Sequence, residues 1–120
     1  MATELRISNP IPPRLRFVAR HGEDLLWSAR FGTRETHAGE ISYTDMTGWV
    51  FELTLNPDNA NPVTISTVTG EITISVDTIA ISIPRSTIES WAKDSGIASL
   101  WATDLSGNRM ACGIGYLEII

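Results

Sequence analysis

The stretch Ile72-Thr-Ile-Ser-Val-Asp-Thr-Ile-Ala-Ile-Ser-Ile83 decides the fold class. Ile72, Ile74 and Val76 alternate with Thr73 and Ser75; Ile79, Ile81 and Ile83 then alternate with Ala80 and Ser82, one residue out of step. A period of two is that of a strand with one buried face. The change of phase between Val76 and Ile79 requires a tight turn or bulge at Asp77-Thr78, because a continuous strand would turn its second half inside out.

The same grammar extends in both directions from this hairpin. Downstream, Pro84 stops the strand, and Ser86-Thr-Ile-Glu89 has the spacing of a capping box. With Gly96 as a C′ residue and Ile88, Trp91 and Ala92 on one face, this predicts a helix over residues 86–95 that lies on a sheet. Two strands close the chain, residues 97–104 and 109–119, joined by Ser106-Gly-Asn108 with glycine where a left-handed residue is needed. Gly113 and Gly115 sit inside the last of these, which implies close approach of another backbone or an aromatic ring.

Upstream, Trp49, Phe51, Leu53 and Leu55 alternate with Val50, Glu52 and Thr54. Asn56-Pro-Asp-Asn-Ala-Asn-Pro62 ends that strand, Val63 and Ile65 begin a short one, and Thr69-Gly70 turns it toward Ile72. A first strand, Leu15 to Arg20, carries Leu15, Phe17 and Ala19 inward and Arg14, Arg16 and Arg20 outward, and ends at His21-Gly22. Leu25, Trp27, Ala29 and Phe31 mark the inner face of the next, and the polar segment from Gly32 to Ser42 reads as an exposed loop. About eight short strands with turn signals every eight to twelve residues specify an all-β, antiparallel, immunoglobulin-like sandwich. It is expected over residues 14–120, preceded by an extended arm, residues 1–13, that Pro10, Pro12 and Pro13 hold near polyproline II geometry. The core is expected to contain Trp27, Phe31, Trp49, Phe51, Leu53, Ile72, Ile74, Ile81, Leu100 and Ile114.

Composition narrows the function classes. At 120 residues, with 42% hydrophobic residues and 4 Trp, the chain supports one packed domain. A net charge of −5 without clustered Lys and Arg argues against nucleic acid as a partner. No apolar run approaches the roughly 18 residues of a membrane span, and the first residues lack a signal-peptide pattern. The expectation is a soluble chain made in a reducing cytoplasm. Its lone Cys112 has no internal partner and reads as a small interior strand residue.

Reactive constellations are missing from the pattern. His21 and His37 fall in loops, with no Cys or carboxylate at metal-ligand spacing. The serines lie on strand faces and in turns, without a Gly-x-Ser-x-Gly elbow. Asp58, Asn59 and Asn61 lack the bidentate Glu of a calcium loop and belong to a turn. Asp24, Asp45, Asp77 and Asp104 adjoin turns, where Asp accepts local backbone bonds. No cofactor, metal or catalytic residue is assigned.

The order of the turn motifs carries a resemblance. Arg20-His-Gly-Glu-Asp24 leads into an apolar strand, Asp45-Met-Thr-Gly-Trp49 opens another, and Thr69-Gly-Glu-Ile72 begins a hairpin that runs to Pro84. Ser99-Leu-Trp-Ala-Thr-Asp104, Leu-Ser-Gly107 and Met110 to Ile119 close the series. Over residues 15–120 this resembles a class of small β-sandwich domains in tailed-phage structural proteins, similar to the N-terminal attachment domain of the baseplate upper protein. Two departures stand out: a longer helix bearing Trp91 precedes the last strands, and no coiled coil or receptor-binding region follows them.

The resemblance implies a non-enzymatic structural protein of the virion, in the tail tip, baseplate or neck, made in the host cytoplasm. It would act by assembly with other phage structural proteins and with copies of itself. Leu5, Ile7 and Ile11 are apolar residues on the proline-rich arm and form the expected assembly interface, packed on a neighbour and not on their own sandwich. The competing reading is a carbohydrate-binding or host-surface-binding module with Trp49, Trp91 or Trp101 as a stacking platform. A small hydrolase on a β scaffold is the third.

Overall fold

β-Branched residues at alternate positions fit a half-buried pleated surface, and the computed structural model resolves them into ten strands and one helical turn among the residues it describes, 2–6, 14–33 and 42–120. In chain order these are β1 (Ala2–Arg6), β2 (Arg14–Ala19), β3 (Leu25–Thr33), β4 (Ser42–Tyr43), β5 (Val50–Pro57), β6 (Val63–Ser66), β7 (Ile72–Ser75), β8 (Thr78–Ile83), α1 (Arg85–Glu89), β9 (Ser95–Thr103) and β10 (Arg109–Ile119). One sheet has the order β1-β3-β8-β7, with β4 also on β3; the other has the order β2-β10-β9-β5-β6. The fold is an all-β sandwich with its core between the sheets. Pairing is antiparallel except where β1 meets β3 and β2 meets β10, both in parallel.

β5 follows its alternation throughout. Phe51, Leu53 and Leu55 are fully buried, while Val50, Glu52 and Thr54 are half-buried on the outer face. Phe17, Phe31, Ile72, Ile79, Ile81, Ile83 and Leu100 are fully buried with them in the core. Each such side chain contributes about 1.5–3 kcal/mol on transfer from water. Phe31 and Phe51 meet across the two sheets with ring centroids 5.5 Å apart, and Phe17 meets Trp27 at 4.9 Å. Trp27, Trp49 and Ile74, expected in the core, are partly buried residues packed against it.

Four expectations are corrected. The hairpin turn lies at Val76-Asp77, one residue earlier than the pattern placed it, since Ser75 pairs with Thr78. Val76 leaves the buried face, is 56% exposed and has φ +56°, which for a β-branched residue is an unusual left-handed conformation. A positive φ followed by a negative one is the sign pattern of a type II′ hairpin turn. Neighbouring segments grip that turn: Met46 N donates to the Val76 carbonyl at 2.6 Å, and Phe31 N to the Asp77 carbonyl at 2.8 Å.

The helix is shorter than its pattern, Arg85–Glu89, and the capping box does not form. Pro84 is the N-cap and makes no side-chain cap bond. The carboxylate of Asp24, from the β2–β3 connection, accepts the Arg85 amide at 2.8 Å instead. Pro84 has already set the extended cap conformation (φ −66°, ψ 147°), so Ser86 falls inside the helix, where its hydroxyl cannot act as the cap. Ile88 still enters the core, and so does Trp91, just beyond the helix.

Ile114, expected in the core, is 48% exposed. A bulge between Ala111 and Gly113 advances β10 by one residue against β9, so Cys112 and Gly113 are both buried and the alternation restarts with Gly115, Leu117 and Ile119 inward. The two glycines are there because Leu15 of β2 occupies the space. A Cβ on Gly115 would come 1.7 Å from the Leu15 carbonyl oxygen, and one on Gly113 would come 2.4 Å from its Cδ1.

The arm is not wholly separate from the sandwich. Ala2–Arg6 pairs with Ser28–Gly32 of β3, so its backbone is the last strand of that sheet, with Leu5 opposite Phe31. Ile7 and Ile11 lie outside the described residues. So does most of the Gly32–Ser42 loop, with His37; its ends pair with each other as Gly32↔Tyr43 and Thr33↔Ser42.

Candidate assembly surfaces

Alternation that sends one set of side chains into the core sends the other to the surface, and on β9 and β10 that second set is partly apolar. Ile97, Ile114 and Tyr116 are exposed on the outer face of the second sheet. Tyr116 stands directly opposite Ile97 on β9 and Arg16 on β2, and Ile114 opposite Ser99 and Arg14. At the rim Arg16 Nη2 donates to Glu118 at 2.9 Å. Exposed on both sides, that pair adds little stability but gives the face an ordered polar edge. Small apolar groups of this kind, rimmed by charge, are the ordinary anatomy of contact surfaces.

The opposite end of the molecule is tied by charge. Arg30 Nε and Nη2 both donate to Asp77 Oδ2, at 3.1 and 3.0 Å, and the same guanidinium covers the Tyr43 ring at 3.3 Å. This joins β3, β4 and the β7–β8 turn. The hydrogen bond from Arg30 holds the Asp77 carboxyl below the usual carboxylate range. A depressed folded pKa means that its stabilising contribution is present above the unfolded value and is lost as pH falls through the folded one.

Among the described residues, titratable groups do not converge. Asp45 is lowered by the side-chain and backbone bonds it accepts from Thr47, the latter at 3.0 Å, in a local turn. Burial pushes the Cys112 thiol up to about 12, so it is protonated and unreactive at neutral pH. Asp58 accepts from Ser95 Oγ at 3.1 Å, and Asn59 Nδ2 donates to the Asp94 carboxylate, so this turn braces the start of β9. His21 Nε2 donates to the Trp91 carbonyl at 2.8 Å, fastening the first turn to the segment after α1. Among the described residues no group of three His, Cys, Asp or Glu is arranged to hold a metal ion.

The three tryptophans proposed for ligand stacking are engaged within the protein. Trp91 is 3% exposed, Trp49 stacks on Phe51 with centroids 6.3 Å apart, and Arg109 covers the Trp101 ring at 4.2 Å. Of the arm residues, Leu5 lies on β1 at the sheet's margin, and Ile7 and Ile11 lie outside the described residues. The outer face of β9 and β10 is not among the surfaces expected from the sequence. Its signal is present in Gly113 and Gly115: two glycines at alternate positions are a poor core face, and they leave Ile114 and Tyr116 to the other side.

No protein-family model matches the sequence, and a search of curated proteins finds no match. Among solved structures the fold is similar to the N-terminal domain of phage TP901-1 ORF48, with a TM-score of 0.55 and 8% sequence identity, over 98% of this chain and 97% of that one. At that identity the likeness concerns the fold, and it spans the two chains almost end to end.

Proposed function

We propose that this protein is a non-enzymatic structural component of a tailed-phage virion, placed in the tail tip, baseplate or neck, and that it works by protein–protein assembly. The observation that carries this reading is the agreement between two independent lines. The ordered turn motifs from Arg20 to Met110 resemble phage tail sandwiches, and a fold comparison covering 98% of the chain arrives at a phage domain. The exposed face around Ile97, Ile114 and Tyr116 supplies a surface for such contacts. The stacking-module reading is not favoured, because Trp91 is buried and Trp49 and Trp101 are covered by Phe51 and Arg109.

Leu5, Ile7 and Ile11 belong to the assembly interface in this proposal. β1 is the last strand of its sheet, and a margin of that kind offers backbone donors and acceptors to a neighbour. The partners are other phage structural proteins and further copies of this chain.

Antibody labelling of purified particles, read by electron microscopy and by mass spectrometry of the particle proteins, tests the proposal. Label at the tail or neck is the expected result. A chain found only in the soluble lysate of infected cells would sink it. Removing Met1–Pro13 is expected to weaken entry into particles while the remaining sandwich keeps its β signature by circular dichroism.

A further inference from the structure

Of the four strands that end a sheet order, β2 is the longest, with 6 residues against 5 in β1 and 4 each in β6 and β7. Its backbone shows which side is open. The Ala19 carbonyl accepts the Ile120 amide and the His21 amide donates to the Ile120 carbonyl, both at 2.9 Å, so the odd-numbered residues turn their polar groups to β10. That direction alternates residue by residue along a strand. The amides and carbonyls of Arg14, Arg16 and Val18 therefore point to the outer margin, with which no strand pairs among the described residues.

The side chains of the same stretch are cationic. Arg14, Arg16 and Arg20 are exposed on one face. A third of the chain's 9 Lys and Arg residues are thus gathered on one strand and its last neighbour, in a chain of net charge −5. Arg16 reaches Glu118, whereas Arg14 and Arg20 have no carboxylate partner among the described residues.

These two observations select the occupant. A margin that offers donors and acceptors in turn is satisfied by a backbone that does the same, and not by a phosphate, which only accepts. Side chains two residues apart on a strand stand about 7 Å apart, and those of a partner strand share that repeat. Carboxylates at its alternate positions would meet the guanidiniums pair by pair. A second copy does not supply them. β6 and β7 contain no acidic residue, β1 has Glu4 alone, and β2 against β2 brings arginine to arginine.

We propose that β2 receives an extended segment of a different structural protein, added as a further strand of the second sheet and carrying Asp or Glu opposite Arg14 and Arg16. The inference rests on the assembly reading and names the chemistry of one of its contacts.

Hydrogen exchange of the full chain, followed by NMR with and without acetyl-Thr-Glu-Val-Glu-Val-Glu-Thr-amide, tests it. Saturable binding with slowed exchange at the Arg16 and Val18 amides is expected, while Phe17 and Ala19, already bonded to β10, change little. The lysine peptide should not bind. Joint Arg14→Glu and Arg20→Glu substitution should weaken the acidic peptide about tenfold or more and admit the lysine peptide, a gain that also shows the variant to be folded. Binding without slowed exchange, an equal response to inorganic phosphate, or an unchanged affinity in the double variant overturns the proposal. Particle incorporation separates the two readings. A double variant that enters particles as well as the parent overturns the role of β2 and leaves the assembly reading intact, whereas a parent chain absent from particles overturns both.

Discussion

β5 and β10 both belong to the second sheet, yet their side chains are placed by different agents. In β5 the sequence alternates without interruption, and Phe51, Leu53 and Leu55 go inward as that alternation dictates. In β10 the neighbour decides. Leu15 of the parallel strand β2 fills the space above Gly113 and Gly115, the bulge after Ala111 accommodates it, and Ile114 is turned outward. A strand whose own pattern is sufficient can be read alone. One shaped by a strand distant in the chain cannot.

The sharpest way to break this comparison is Gly115→Ala. One methyl group in β10 meets backbone, which cannot move aside as the end of a side chain can. A loss above about 4 kcal/mol, or failure to fold, is expected; urea unfolding with a near-parental midpoint would show that Leu15 does not control β10. Next in size, Phe51→Ala should cost about 3–5 kcal/mol, the penalty for emptying a full core site in the strand that obeys its pattern. Calorimetry or denaturant melts read both.

The same division between local and distant control holds at the helix, at a smaller scale. Asp24→Ala should destabilise by about 1 kcal/mol, since it removes the acceptor of the Arg85 amide, while Ser86→Ala should change stability by no more than about 0.5 kcal/mol. The reverse ranking in matched chemical denaturation would restore the capping box. Least of all, Ile114→Thr should stay within about 0.5 kcal/mol of the parent, because the residue stands on the solvent face of a strand. A core-sized loss there would return the bulge to question.

These cases mark what is legible in the sequence. The sandwich, the inner faces of β2, β3 and β5, and the glycine turn at Gly107 (φ +85°) follow from period and turn chemistry, which act over a few residues. The Val76 turn is displaced by one residue from its expected place because a β-branched residue is a poor candidate for positive φ; it is held there by bonds from Met46 and Phe31. The parallel place of β1 on β3 is likewise illegible, since prolines describe a chain's stiffness and not its partner. Ile114 and Tyr116 lie between readable and hidden: their alternation is visible in the sequence, its phase is not.

The parallel pairing of β2 with β10 has a mechanical consequence. Arg14 through Ala19 lie in register with Ile114 through Ile119, both strands pointing the same way. Tension applied between the start of β2 and the end of β10 therefore slides one strand along the other, and the ladder bears the load across all its bonds together. An antiparallel pair joined by a turn and pulled at its open end would unzip, each bond failing in its turn. A pull along that line is therefore resisted by the whole β2–β10 ladder at once.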